Sequence, residues 1–498
     1  MGQSLTNRTV KGAAWIGGAS VVRLGLRVIS VAVLARLLMP REYGIVAGAL
    51  VAMDFAAIVY SLGLAPTLIQ RKEVRRDHVA TAFSASLFIA LLAGAAMWFA
   101  APLIAELMRI PELAQVLKVL AFLTPFGAFN ALCEALLARN MKAKSVALRP
   151  LFSFTVAAFL VGIPLAYAGF SYWSLIAMQV AETAAGTAAF AFAARNLLVW
   201  PAFSTQAFKE LWPMSLGFSI TTPLEYASRN ADQFLIARLM GINALGLYSR
   251  ASFVVKNSTS LFNDIARIAL FPAMAQVNEE RERLRNALLK ALSITAFLTL
   301  PLSTLCVVFS HEVVHLLLGS QWMAAAVPFG LLVATLYPRL ARRSCFALFQ
   351  AMGRPYWMTT LQSVHVLLVI AAVSWTAPYG LTIVCASVLV VTFVVAVLVV
   401  AIAARAAGIS TWDVVSVHGL SLTVSAGVAL VGWLLRVNVT FVDPRMIFLL
   451  CLLMLVAGLA LLIPTSASDV DRALLGHRLK AGSALRVRLQ TVSHRQGR

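Results

Sequence analysis

RNADQFLIARLMGINALGLYSR, residues 229–250, is the stretch on which the reading of the fold turns. One mostly apolar segment leads into it from Leu211 and a second leaves it toward Pro272. Within these segments sit Glu225, Arg229, Asp232, Lys256, Asp264 and Arg267. A charge at a bilayer centre costs about 2.5–3.5 kcal/mol on insertion scales. A chain keeps such residues only where they pair, meet water or hold a ligand.

The surrounding composition makes the bilayer the relevant solvent. Of 498 residues, 60% are hydrophobic and 12% charged, about half the charged share of a soluble domain. Mean hydropathy is +0.85. The apolar runs are continuous rather than alternating, which predicts helices and excludes a transmembrane β-barrel. Fourteen such segments are legible between residues 11 and 463, including 43–65, 211–239, 246–273 and 445–463. The fold class is therefore an all-α polytopic membrane protein with about 14 transmembrane helices. The first segment contains Arg23 and Arg27 and is long, so it reads as a retained helix rather than a cleaved signal.

The net charge of +21 comes from 41 Lys+Arg against 20 Asp+Glu. In a membrane chain this excess belongs first to cytoplasmic loops, so no nucleic-acid partner is called for. With the N-terminus inside, basic residues crowd the loops near 71–76, 139–149, 195–209 and 281–290 and the tail beyond 464. The outside loops hold only Arg36, Arg41, Arg109, Arg238, Arg436 and Arg445. Both termini are expected in the cytoplasm of a multi-pass protein, with the basic tail also attracted to anionic membrane lipids. The five cysteines form no CxxC pair, so no metal site is expected.

The longest interior break, 195–210, divides the chain into an N-lobe (1–194, TM1–6) and a C-lobe (211–404, TM7–12). An extra helix pair (405–463) and a basic tail (464–498) follow. ARLLMPREYG in the first half is loosely similar to ARLMGINALG in the second, which suggests duplication. The charged segment near 274–290 is expected to be a short cytoplasmic helix between two spans.

Arg23 and Arg27 lie four residues apart, on one helix face. Arg229 can pair with Glu225 or Asp232, and Asp264 with Arg267, whereas Lys256 has no partner at helical spacing in its own helix. Asp54, Glu134, Glu182, Glu225, Asp232 and Asp264 are the acids available for coupling or for structural pairing. Arg339, Arg342 and Arg343 require either a break in their apolar run or a cavity. Arginine keeps its proton and binds phosphate in a bidentate fork. Arg23, Arg27, Arg229, Lys256 and Arg267 are therefore the expected substrate-binding cations of a central cavity for a phosphate-bearing cargo. No Walker A loop, nucleophile elbow or HExxH is present, and the loops are too short for a catalytic domain. The expectation is a transporter and not an enzyme, with no cofactor beyond coupling to H+ or Na+.

Four ordered stretches carry a family resemblance: LARLLMPREYGIVAGAL at 34–50 with SLGLAPTLIQRKE at 61–73, RNADQFLIARLMGINALGLYSRAS at 229–252, LFPAMAQVNEERERLR at 270–285, and LLLGSQWMAAAVPFGLL at 316–332 with FQAMGRP at 349–355. Together they resemble the Wzx-like polysaccharide flippases of the multidrug/oligosaccharidyl-lipid/polysaccharide exporter superfamily, closest to the colanic-acid-exporter-like branch. The resemblance covers roughly residues 5–400. It implies two six-helix lobes in a V-shaped, alternating-access bundle. It also implies flipping of an undecaprenyl-pyrophosphate-linked oligosaccharide across the bacterial inner (cytoplasmic) membrane for exopolysaccharide, capsule or O-antigen, with a polysaccharide polymerase and export machinery as partners. Arg23 and Arg27 stand in a place similar to first-helix cavity arginines of the related peptidoglycan-precursor flippase. The competing expectation is a cation-coupled multidrug exporter of the same superfamily.

Overall fold

The computed structural model describes residues 5–61, 63–71, 73–140, 143–265, 280–438 and 445–456, with the single positions 270, 274, 443 and 458. Within these ranges no side chain is described at 5–14, 16–17, 58–61, 143, 214, 216–225, 228–229, 261, 263–265 or 355. Among the described residues every regular element is helical. The first twelve α-helices are α1 (Leu5–Leu37), α2 (Pro40–Ser61), α3 (Leu64–Gln70), α4 (Arg76–Met108), α5 (Leu113–Ala121), α6 (Thr124–Arg139), α7 (Ala143–Thr155), α8 (Ile163–Tyr167), α9 (Trp173–Ala194), α10 (Thr205–Met240), α11 (Ile242–Ala251) and α12 (Phe253–Ile265). Longer helices beyond them are Arg281–Val308, Leu336–Ala351, Pro355–Thr376, Leu381–Ala407 and Gly419–Asn438.

Nine helices among the described residues are long and apolar enough to cross a bilayer. The number is ten if α5 and α6, bent by 48°, form one span. The protein is thus a multi-pass helical membrane protein. The expected spans 43–65, 211–239 and 246–273 fall on α2, α10 and the α11–α12 pair, and that at 445–463 runs past the described residues. The basic stretch expected as a separate helix is different in the structure. From Arg281 onward it runs unbroken to Val308, with Leu284, Leu288 and Leu289 buried, Arg281 and Arg283 exposed and Arg285 half-buried.

The chain divides into two compact units. The first comprises residues 1–265, 310–333 and 356–392. Its signature is a helix–break–helix turn made twice. Residues 35–44 end α1 and open α2 with Pro40 at the first helical position, where a missing N–H is harmless. The Met39 amide donates to Glu42 Oε2 at 2.6 Å, which starts α2 firmly. Residues 237–246 end α10 and open α11 through Gly241, whose φ of +85° suits glycine. The two turns meet. A Cβ on Gly44 would stand 2.1 Å from the Ile242 carbonyl oxygen, and one on Gly246 would stand 1.8 Å from that of Pro40. In ARLLMPREYG and ARLMGINALG, Gly44 matches Gly246 and Pro40 matches Ile242. The contact is therefore reciprocal, as across a local two-fold axis.

The end of α1 is satisfied from far away in the chain. Trp322, fully buried, donates its indole N–H to the Ala35 carbonyl at 2.7 Å. Gln321 Nε2 reaches the carbonyls of Ala35 and Leu38, and Arg36 Nη2 donates to the Leu316 carbonyl at 2.9 Å.

The start of α10 is fixed by charge. Glu210 receives His78 Nε2 at 2.9 Å, Arg71 Nη2 at 2.5 Å and Arg75 Nη2 at 3.3 Å. His78 is 1% exposed, and its Nδ1 accepts the Arg75 amide at 3.1 Å, so Nε2 carries the proton. These donors, His78 first and then the arginines, hold the Glu210 carboxyl down at about 2. Below the carboxylate lies an apolar cluster that includes Leu68, Phe83, Leu136, Phe190 and Leu211.

The second unit comprises residues 266–309, 334–355 and 393–498. Helix Arg281–Val308 packs on Leu336–Ala351 and Gly419–Asn438. Arg285 Nη2 meets Asp413 Oδ2 at 2.5 Å, and Arg436 Nη1 caps the Val308 carbonyl at 3.0 Å. The apolar run that holds Arg339, Arg342 and Arg343 does break, at Thr335. Arg339 Nε donates to the Thr335 hydroxyl at 3.0 Å, and Arg342 is 5% exposed. His418 bonds the Tyr337 hydroxyl.

Candidate functional site

Inside the first unit lies a cavity of about 470 Å³, within the usual range of roughly 300–1,000 Å³ for small-ligand sites. Each wall is one stripe of a helix. On α1 the lining residues are Arg27, Ser30, Val31 and Leu34, on α2 Tyr43 to Asp54, and on α9 Leu175, Met178, Gln179 and Glu182. Their spacing of three and four residues is that of a single helical face. Asn230 and Gln233 come from α10, and Ser249, Arg250, Phe253, Lys256, Asn257 and Ser260 from α11 and α12.

Three cations, Arg27, Arg250 and Lys256, face two carboxylates, Asp54 and Glu182. Arg27 Nη1 donates to Asn257 Oδ1 at 3.2 Å, and its guanidinium stands 5.4 Å from the Phe154 ring centroid. Glu182 attracts that guanidinium and Arg23 opposes it. The Arg250 guanidinium lies 4.4 Å over Tyr43 and 5.6 Å from Phe253, a stacking typical of arginine. Asn230 Nδ2 donates to Asp54 Oδ2 at 3.4 Å.

Several of these groups are buried without a hydrogen-bond partner among the described residues: Arg250 Nε, the Tyr43 hydroxyl and Gln233 Nε2. Most buried polar atoms are satisfied, and leaving one unsatisfied costs about 1–3 kcal/mol. Three unmet polar groups on one cavity, all able to donate, suit a ligand that brings acceptor oxygens.

Of the cations expected from sequence, Arg27 and Lys256 line this cavity. Arg23 sits one turn before Arg27, half-buried, and is not among the lining residues. The side chains of Arg229, Glu225 and Asp264 and the whole of Arg267 lie outside the described residues. Of the acids, Asp54 and Glu182 line the cavity, whereas Glu134 and Asp232 do not. Asp232 instead accepts the hydroxyl of the fully buried Tyr248 at 2.5 Å and the Gln233 amide at 2.8 Å, which fastens α10 to α11. Sequence reasoning missed Arg250, Tyr43 and the four amides. A signal did exist: Ser249, Phe253, Lys256 and Ser260 repeat at helical spacing, with Arg250 and Asn257 beside them. Among the described residues no group of His, Cys, Asp or Glu could hold a metal ion, and the cysteines are free.

The first unit thus holds a polar cavity walled by helix faces within a multi-pass protein, and comparison with known structures agrees on the fold. The chain superimposes on the inward-closed lipid II flippase MurJ with a TM-score of 0.70 at 14% identity, over 92% of this chain and 99% of that one. An inward-facing multidrug transporter of the MATE family follows at 0.62 and 15%, over 78% and 98%.

The sequence goes further, because residues 33–327 match the family described as "Polysaccharide biosynthesis protein", and the chain belongs to that family. It is 28% identical over 308 residues to the succinoglycan biosynthesis transport protein ExoT of Rhizobium meliloti, across 62% of each chain. It is 25% identical over 325 residues to the lipopolysaccharide biosynthesis protein WzxC of Escherichia coli, across 64% of this chain and 65% of the relative. The chain thus matches somewhat less than two thirds of the length of these relatives.

Proposed function

We propose that the protein flips an undecaprenyl-pyrophosphate-linked oligosaccharide repeat unit across the inner membrane by alternating access, to supply exopolysaccharide, capsule or O-antigen synthesis. The observation that carries this reading is the cavity's set of Arg27, Arg250, Lys256 and unmet polar groups. A pyrophosphate with its attached sugars presents many acceptor oxygens and negative charge, and arginine forks suit it. Family membership and the names of the relatives support the same cargo class. In this reading the protein is a transporter, with 1–194 and 211–404 as the two moving lobes. Both termini face the cytoplasm, by the distribution of Lys and Arg. Asp54 and Glu182 are the acids that couple transport to H+ or Na+, and a polysaccharide polymerase takes the flipped unit.

The competing reading, a cation-coupled multidrug exporter, draws on the same two acids. It leaves the cations and the unmet polar groups without a role.

Complementation separates the two. In a strain deleted for the gene, the Arg27→Ala, Arg250→Ala double variant should insert normally and fail to restore surface glycan. Arginine-to-lysine replacements should restore part of it, since charge returns without the fork. Full glycan production by the double alanine variant would reject the cationic-cavity reading.

A further inference from the structure

A second cavity, of about 380 Å³, lies between α4, α6 and the loop after α9. Its walls are apolar, among them Phe83, Leu87, Phe129, Leu132 and Leu198, and its one charged lining residue is Arg195. Leu87 is 37% exposed, and Leu91, one turn on, is 54% exposed. The groove therefore opens on the apolar face that α4 turns outward, where acyl chains lie.

The other end is polar. The Arg195 guanidinium is held 4.8 Å over the Phe192 ring, and among the described residues no carboxylate pairs with it. Trp200, on the groove's edge, is 90% exposed, a placement typical of tryptophan at the headgroup level. Arg71, Arg75 and Arg139 gather at the same end of the unit. Arg139 Nη1 donates to the Leu68 carbonyl, Arg71 reaches Glu210, and the Ser204 amide donates to Thr81 Oγ1.

We propose that this groove holds one acyl chain of an anionic phospholipid, with Arg195 on its phosphate. An apolar slot open to the hydrocarbon and closed by a cation at headgroup height matches that ligand in both chemistry and order. A zwitterionic lipid brings its own ammonium into a basic rim and fits less well. The inference does not depend on what the first cavity carries.

Native mass spectrometry of the purified full chain, titrated with dioleoylphosphatidylglycerol or dioleoylphosphatidylcholine, tests it. The wild type should retain phosphatidylglycerol selectively. Arg195→Gln should lower the bound fraction about tenfold, the loss of one charge-assisted hydrogen bond. Leu87→Trp, which fills the slot, should do the same, and Arg41→Gln, on α2 and paired with Glu112 just past the C-terminal end of α4, should not. Because a filled slot can unfold a chain, a second measurement uses phosphatidylglycerol brominated on its acyl chains. Part of its quenching of tryptophan fluorescence should vanish in Trp200→Phe. Equal retention of both lipids, retention unchanged in Arg195→Gln and Leu87→Trp, or quenching unchanged in Trp200→Phe would each overturn the proposal. So would displacement of the phospholipid by a polyprenyl diphosphate at equal concentration.

Discussion

Replacing Gly246 by alanine puts two opposing effects on one atom. Alanine favours a helix over glycine by about 0.8–1.0 kcal/mol, and Gly246 lies inside α11. Without a neighbour the substitution should stabilise. The structure supplies one, since the new Cβ would stand 1.8 Å from the Pro40 carbonyl oxygen, 2.7 Å from its carbon and 3.2 Å from the Gly44 nitrogen. Ordinary contact needs about 3.5 Å, so α2 and α11 must separate by roughly 1.5 Å. All three obstacles are backbone, and no rotamer change relieves them. Overpacking that side chains can absorb costs about 1–3 kcal/mol. Here the upper end applies, and after the propensity gain the net loss is about 2 kcal/mol. Gly44→Ala, with a Cβ 2.1 Å from the Ile242 oxygen, should behave alike. Gly427→Ala, whose Cβ meets nothing within 4 Å, should be neutral or stabilising. Thermal unfolding of the three variants in detergent, followed by size-exclusion chromatography, reads the sign. A Gly246→Ala protein that melts at or above the wild-type temperature would refute the close backbone contact.

Three further outcomes follow from the same packing. Trp322→Phe removes the indole donor to Ala35 and should cost about 1–2 kcal/mol in thermal stability; combining it with Gln321→Ala should cost more than the sum of the two. Asp232→Asn and Tyr248→Phe should each destabilise and show a coupling of about 1–3 kcal/mol in a double-mutant cycle, and additive effects would deny that the bond matters. Glu210 sits at about 2, below its ordinary 4.5. Its contribution is present above pH 4.5 and is lost as pH falls toward about 2. Glu210→Gln should therefore melt below wild type at pH 7, and the gap should close across that window; a gap independent of pH would exclude the carboxylate as the cause.

The membrane class and the helical fold were legible because apolar runs leave a bilayer chain few alternatives. The paired breaks at 35–44 and 237–246 were legible as similar text, though not as a contact. Arg27 and Lys256 stood out because a charge inside an apolar run has no bland explanation. Arg250 did not, because it stands in the first turn of the apolar segment that begins at 246, where a charge reads as interfacial, and only the fold turns it inward over Tyr43. Gln233 and Asn257 are neutral amides and break no pattern. The Glu210 centre was hidden because its partners Arg71 and His78 stand 139 and 132 residues away. Arg71 and Arg75 read only as loop charges.

The bond from Trp322 to the end of α1 spans 287 residues. A ribosome adds about 5–20 residues per second, so roughly 15–60 s pass between the synthesis of Ala35 and that of its cap. During that interval α1 is already in or beside the membrane with its last carbonyls answered only by water, headgroups or the insertion machinery. Helix α1 is thus finished long after it is made. A chain that stalls before residue 322 therefore presents α1 with an unfinished end.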